Sequence, residues 1–273
     1  MTGLLRTAKV LIVVFGVTLL SSCATVREPL DPETTPPEVL YNQALDLLIK
    51  DQEYTRAIKA FDEIDRYYPY SRWAVRAQIM LAFTHYMKKQ YDDSIMVLDR
   101  FIQLYPGNRY TPYAYYLKAL CYYDQISDVR RDQKMTELAL EALEEVRKRF
   151  PKSDYARDAA VKIELARDHL AGKEMTVGRF YLHQNAHLAA MNRFITVVKK
   201  YQTTDHVQEA LYRLTETYLI LGLNEEAQKS AAVLGYNYPS SRWYKKAYEL
   251  MKKKNAVPAG QEKKPEPVEQ EKK

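Results

Sequence analysis

The chain has 273 residues, enough for one large or two ordinary domains, and its composition favours helices over sheets. The chain has only 8 Gly but 23 Tyr, and Leu, Ala, Lys and Glu are abundant. This composition is typical of long helices that pack through aromatic side chains. The formal net charge of +6 is modest for this length, so it does not point to a nucleic-acid-binding protein.

The first 22 residues have the features of an export signal. Arg6 and Lys9 supply positive charge, and the apolar run from Val10 to Leu20 is too short to span a bilayer comfortably. Leu20-Ser21-Ser22-Cys23 then resembles the lipobox of bacterial lipoproteins, which implies cleavage before Cys23 and acylation of that residue. Two or three acyl chains would hold the protein stably at a membrane. The alternative is an uncleaved signal anchor with an incidental cysteine.

The residues after Cys23 indicate where the protein is sorted. Ala24 takes the place of an Asp, and by resemblance to lipoprotein sorting in Gram-negative bacteria this favours the periplasmic face of the outer membrane. Residues 23–37 contain four prolines, which predicts a stiff extended tether, and losing the signal lowers the formal charge to about +4. Cys121 is then the other cysteine, and its apolar surroundings predict a buried side chain rather than a reactive thiol.

A recurring boundary motif divides the rest of the chain into repeats. Each copy has an aromatic residue, a proline that ends one helix, and a Ser or Asn that caps the next. Successive prolines such as Pro69 and Pro106 are 37 residues apart, near the period of about 34 residues of tetratricopeptide repeats. A fifth copy at Tyr201 has Gln202 in place of proline. The other copies are Tyr68-Pro69-Tyr70-Ser71, Tyr105-Pro106-Gly107-Asn108, Phe150-Pro151-Lys152-Ser153 and Tyr238-Pro239-Ser240-Ser241.

The apolar spacing of three and four predicts an all-α fold, a tetratricopeptide superhelix of about five helix pairs plus a closing helix. Small residues such as Ala57 and Ala227 would let paired helices approach closely. The third pair has an inserted polar loop around 127–132, and the fourth is predicted to have an unusually long second helix after Gly172. The pairs are placed at 38–67, 72–104, 111–149, 154–200 and 206–236, with the closing helix at 240–254.

The stacked pairs would leave a concave surface of the kind that binds polypeptide. An unspecialised helical bundle is the alternative, which the regular boundary motif disfavours. Residues 255–273 consist largely of Lys, Glu, Pro and Gln without an aromatic residue, so we expect a disordered polar tail.

The sequence offers no pattern that predicts catalysis. It has no glycine-rich phosphate loop, no G-x-S-x-G turn, no H-E-x-x-H motif and no cysteine cluster, so no catalytic residue, metal or cofactor is predicted. His183 and His187 are four residues apart and would share a helix face, but no third ligand is evident, and packing or solvated histidines are the simpler reading. Clustered tyrosines would partly fill seams between helices and partly face the groove.

Three segments resemble the BamD family, lipoproteins of the outer-membrane β-barrel assembly machinery. They are Arg66-Tyr67-Tyr68-Pro69-Tyr70-Ser71, Asp99-Arg100-Phe101-Ile102-Gln103-Leu104-Tyr105-Pro106 and Ala189-Ala190-Met191-Asn192-Arg193, the last preceded by Glu174, Val177 and Tyr181. The resemblance implies that repeats in 38–110 recognise unfolded outer-membrane protein precursors. It implies that repeats in 111–254 dock on the POTRA domain of BamA nearest the barrel, with other lipoproteins of the machinery as further partners.

Individual roles are also carried over from the resemblance. Arg193 is similar to the partner-contacting arginine of the family, with Asn192 beside it. Tyr68 and Arg100 lie in the substrate-side region, to which Tyr70 and Arg72 are also assigned. The sequence departs from the family at Gln202 and at 183–185, which leaves the contacts near 183–204 open.

The sequence leaves two alternative functions open. One is a different tetratricopeptide lipoprotein of the envelope, which would coordinate cell division or peptidoglycan synthesis. The other is an enzyme such as a periplasmic peptidase, for which the sequence offers no nucleophile and base at meaningful spacing.

Overall fold

A computed structural model describes residues 30–254 of the chain. The predicted signal sequence, Cys23, the first part of the tether and the polar tail therefore lie outside the described residues. Within 30–254 the chain forms eleven helices and no strand. They are α1 (Pro37–Ile49), α2 (Tyr54–Tyr67), α3 (Arg72–Met87), α4 (Tyr91–Leu104), α5 (Thr111–Tyr123), α6 (Lys134–Arg149), α7 (Asp154–His183), α8 (His187–Lys200), α9 (His206–Ile220), α10 (Asn224–Asn237) and α11 (Arg242–Lys253).

These helices confirm the predicted five pairs and closing helix, with boundaries that agree to within about two residues. The inserted segment of the third pair is also present, between Tyr123 and Lys134. One detail was wrong, because the long helix of the fourth pair is the first helix, α7, and not the second. Gly172 lies inside α7 rather than at a break, since His206 and Val129 pack against it and favour a residue without a side chain.

The boundary motif acts as a repeated helix stop. All five aromatic residues at the ends of second helices, the one without proline included, adopt φ between −125° and −137° and ψ between 45° and 56°. Ser71, Ser153 and Ser241 then accept a hydrogen bond from a backbone N–H in the first turn of the next helix. At the second boundary Asn108 accepts from the N–H of Tyr110 just before α5 begins. The predicted capping role is therefore confirmed for the serines, and Asn108 makes a turn instead.

Each second helix carries a small, fully buried residue where it crosses its partner. Because such a residue has little bulk, the two helices approach closely, and larger side chains one and two turns later fill the adjoining space. In α2 these larger residues are Phe61 and Ile64, and in α8 they are Phe194 and Val197. The small residues are Ala57, Ser94, Ala139, Ala190 and Ala227.

The stack curves because the two helices of each pair approach their neighbours differently. The backbones of successive first helices (α1, α3, α5, α7, α9, α11) contact one another. The backbones of successive second helices (α2, α4, α6, α8, α10) do not approach within 8 Å anywhere in 30–254. The first helices therefore line the inner, concave side of the superhelix, and the second helices are spread along the outer side.

Helix α7 spans 30 residues and belongs to two cores at once. Ala159 and Ile163 in its first half pack with α5 and α6, whereas Ala171 and Met175 in its second half pack with α8 to α11. At Gly178 the ring of Phe194 lies so near the backbone that an added Cβ would be 2.5 Å from Cε1. This contact fixes α8 on the second half of α7.

We expect Gly178→Ala to destabilise the protein. Alanine favours a helix over glycine by about 0.5–1 kcal/mol, but overpacking against the fully buried Phe194 costs about 1–3 kcal/mol. The net change should lower the melting temperature by several degrees, measured by circular dichroism at 222 nm. Gly107→Ala is the control, because nothing lies within 4 Å of a Cβ built there. Equal melting temperatures for both variants would contradict the close contact.

Candidate functional site

The hydroxyl group of Tyr68 holds the end of the tether. It donates a hydrogen bond to the carbonyl oxygen of Thr35 at 2.9 Å, and the carbonyl oxygen of Glu33 lies at 3.4 Å. An Asp31 side chain organises this segment by accepting from the N–H of Glu33, and the Tyr68 ring packs on the first core. Tyr68 therefore fixes the direction in which the chain enters the array, and its hydroxyl is already engaged.

The other three side chains assigned to the substrate side are more exposed. Tyr70 projects fully into solvent from the turn before α3, with a relative accessibility of 102%. Arg72 lies over the ring of Trp73 at 5.3 Å from the centroid. Arg100 lies on α4, 68% exposed, with Nη2 3.6 Å from Oδ2 of Asp65 on α2. No hydrogen bond or ion pair within residues 30–254 joins Arg100 to the residues of the turn, so the set does not form one compact site.

Several tyrosines fill the spaces between successive first helices. Tyr41 of α1 packs on Trp73 of α3 at 5.1 Å, and Tyr212 of α9 packs on Trp243 of α11 at 5.3 Å. Tyr113 and Tyr116 of α5 both meet Tyr155 of α7, and burial raises the pKa of Tyr113 to about 12. The exposed tyrosines are Tyr67, Tyr70 and Tyr236. Aromatic contacts therefore join neighbouring first helices at three places, α1 with α3, α5 with α7 and α9 with α11.

The residues assigned to partner binding lie on α8. Asn192 is exposed, and the side chain of Arg193 is 44% exposed. Nη1 of Arg193 lies 3.3 Å from Oε2 and 3.4 Å from Oε1 of Glu174 on α7, whose side chain is 20% exposed. The Glu174 carboxylate thus holds the guanidinium group against α7, while part of that group faces solvent. The sequence pointed to Glu174 and Arg193 separately but did not show that they form an ion pair. Their pairing depends on the register of α7 against α8.

The structure contradicts a shared helix face for His183 and His187. His183 ends α7 and His187 begins α8, and the turn between them passes through Asn185 with φ of 56°. In the part of the chain that the structure describes, no three His, Cys, Asp or Glu side chains are grouped so as to hold a metal. Cys121 is fully buried, as predicted, and burial raises the pKa of its thiol to about 11.

The predicted division at 110/111 does not coincide with a break in packing, because Phe101 of α4 and Leu117 of α5 belong to one core. The assignment of substrate and docking sides to 38–110 and 111–254 thus remains a prediction. Among residues 30–254, no helix combines the length and apolar character required to cross a bilayer.

Comparison with known proteins gives one consistent family. The family of outer membrane lipoproteins called YfiO matches residues 33–234, which include nearly all of the helical array. The outer membrane protein assembly factor BamD of Caulobacter vibrioides is 49% identical over 227 residues, covering 83% of this chain and 74% of that protein. BamD of Rickettsia prowazekii is 45% identical over 234 residues, covering 86% and 92% respectively.

Removing the Tyr68 hydroxyl should loosen the tether without disturbing the fold. In Tyr68→Phe the ring still packs, but one hydrogen bond of about 0.5–1.5 kcal/mol is lost. We expect amide hydrogen exchange in residues 31–36 to become about two- to tenfold faster, measured by mass spectrometry. Tyr67→Phe is the matched control, because it removes a hydroxyl group from the adjacent tyrosine, whose side chain is exposed. Unchanged exchange in Tyr68→Phe would show that the contact does not order the tether.

Proposed function

The chain belongs to the BamD family of outer-membrane protein assembly factors, and from that membership we propose that it is a lipid-anchored scaffold that binds unfolded β-barrel precursors and docks on BamA. The observation that carries the proposal is the match to the family along nearly the whole array, from residue 33 to 234.

The docking step would use the α7–α8 unit. Glu174 holds Arg193 in place, so less side-chain freedom is lost when a partner carboxylate approaches the exposed part of the guanidinium group. A charge-assisted contact of this kind gives both strength and orientation. The exposed Asn192 would add a neutral hydrogen-bonding group beside it. Phe194, the next residue, is locked under Gly178, so the arginine stands on rigid backbone.

The substrate step would use the first two pairs. Tyr70 and Arg72 at the turn are available to a polypeptide, whereas Tyr68 would first have to release the tether carbonyls. Tyr68 is therefore better assigned to positioning the tether, and Arg100 to the outer face of the array. The scaffold would act by holding a precursor near BamA and would catalyse no covalent step.

The anchor and the location complete the proposal. Acylation of Cys23 would hold the chain at the periplasmic face of the outer membrane, where β-barrel precursors arrive. The tether would let the array extend from the lipid surface, and its last residues are ordered against the first pair by Tyr68. Co-purification of division or peptidoglycan proteins in the absence of BamA would favour the rival role as a coordinator of those processes.

A charge swap separates partner binding from internal stability. Arg193→Glu should sharply weaken co-purification of BamA from detergent-solubilised envelopes, because a carboxylate would replace the cation that faces the partner. It should also lower the melting temperature slightly, since two carboxylates would then face each other across α7 and α8. The double variant Arg193→Glu with Glu174→Arg restores the ion pair, so it should recover the melting temperature but not BamA.

The control for this experiment is Arg147→Glu, which reverses one exposed charge on α6 outside the α7–α8 unit. BamA recovered with the Arg147 variant at the level of the natural protein would show that net charge is not the cause. Recovery of BamA by the double variant would contradict the proposal, because Arg193 would then act through Glu174 and not on the partner.

A further inference from the structure

The closing helix α11 has a row of positive side chains along its exposed face. Six exposed residues form this row, and because each residue of an α-helix is turned about 100° from the one before it, they fall within an arc of about 120°. Five of the six are cations and one is a carboxylate, so this basic stripe has a formal charge of +4. Its residues are Arg242, Lys245, Lys246, Glu249, Lys252 and Lys253.

The opposite face of α11 is buried against the rest of the array. Ala247 and Trp243 pack in the core that α11 shares with the second half of α7, and Met251 packs on α9 and α10. The backbone of α11 contacts both α9 and α10. Because its apolar side is occupied in this way, α11 offers a binding partner only its charged side.

The cations of the basic stripe have no charged partner of their own. No ion pair within residues 30–254 involves any of the five. Arg242 and Lys246 instead lie over the ring of Trp243, at 4.9 and 4.8 Å from its centroid. By contrast, every Lys and Arg of α2 is paired with a carboxylate on or next to that helix. The positive charge of the stripe is therefore not neutralised within the described residues.

The stability of the helix does not account for these positions. Lys252 and Lys253 in the last turn complement the negative end of the helix dipole. Arg242 and Lys245, however, lie in the first turn, where the dipole disfavours a cation. Arg242 and Lys246 are also four residues apart, a spacing at which like charges repel. The amino-terminal half of the stripe therefore costs stability, which an external anion would recover.

We infer that the basic stripe of α11 docks on a membrane surface that contains anionic phospholipid, as a reversible contact in addition to the proposed anchor at Cys23. Clusters of four to eight cations on one helix face are typical of binding to anionic lipid. Four of the five cations are lysines, whose flexible stems let each ammonium group follow a mobile phosphate. Protein interfaces are instead depleted in lysine and rich in arginine and exposed aromatic anchors. The composition of the stripe therefore favours a lipid surface over an acidic protein.

The inference rests on the proposed function only for the anchor, which would keep α11 close to a bilayer. Even when fully extended, the chain between residues 23 and 37 spans at most about 50 Å. An anchored array therefore meets the lipid surface at a high effective concentration, and a weak contact is enough to hold α11 there. Because the apolar face of α11 is buried in the array, the contact would be electrostatic and would not insert into the bilayer.

The test places the full acylated chain in phospholipid vesicles and measures energy transfer from a dye at position 254 to a headgroup-labelled lipid. Lys254→Cys provides an exposed labelling site next to the stripe, whereas Cys121 is fully buried. We expect more transfer when about one quarter of the lipid is phosphatidylglycerol than in phosphatidylcholine alone. Raising the salt from about 0.1 M to 1 M should remove the difference, because the screening length falls from about 10 Å to 3 Å.

Neutralising part of the stripe should release α11 from the anionic vesicles. The triple variant Lys245→Gln, Lys252→Gln and Lys253→Gln should lower the ratio of docked to free α11 about a hundredfold, at about fivefold for each charge. The matched control removes three exposed lysines outside α11 and should keep the full transfer. Its changes are Lys88→Gln, Lys148→Gln and Lys152→Gln. Melting temperatures of both triple variants report folding.

Equal transfer in the two kinds of vesicle, or equal loss in the two triple variants, would overturn the inference. Unchanged transfer in the stripe variant together with weaker co-purification of BamA would also overturn it, because the stripe would then bind an acidic protein surface. The proposed function is judged separately. Loss of the chain from vesicles of phosphatidylcholine alone would count against the anchor at Cys23, and the stripe should still bring such a chain to the anionic vesicles. Arg193→Glu should leave the energy transfer unchanged.

Discussion

The fold depends on α7 being one uninterrupted helix that serves two cores. Its first half closes the core shared with α5 and α6, and its second half supports α8 to α11. Repeat arrays normally transmit stability only between neighbours, and a long helix shared by two units couples those neighbours more strongly. Glycines make the sharing possible, since Gly172 admits His206 and Val129 while Gly178 admits Phe194. The proposed partner surface therefore lies on the same helix that closes the core of α5 and α6.

The inner and outer sides of the array differ in how their helices pack. On the inner side, aromatic contacts such as Tyr41 with Trp73 fill the spaces between first helices. On the outer side, the second helices stand apart and leave a groove between α2 and α4.

The sequence was sufficient for the helix boundaries, because proline and serine act on the residues next to them. Of the five small crossing residues, the repeat spacing identified two, Ala57 and Ala227. The sequence failed at Gly172, where local propensity indicates a break but packing against His206 favours glycine inside a helix. It did not predict the left-handed backbone conformation of Gln52 and Lys89. These residues lie in the turns that connect the two helices of the first and second pairs. The pair of Arg193 with Glu174 depends on the relative register of packed helices, which one sequence does not encode in any local pattern.

The coupling through α7 is open to direct measurement, because the chain has two tryptophans, Trp73 near its first core and Trp243 near its last. Trp243→Phe and Trp73→Phe each leave one fluorescent reporter, and urea unfolding can be followed at the two ends separately and by circular dichroism. If α7 joins the halves into one cooperative unit, the fluorescence midpoint of each variant will coincide with its own circular dichroism midpoint. Separate transitions, with one end unfolding while the other keeps its helices, would contradict the account.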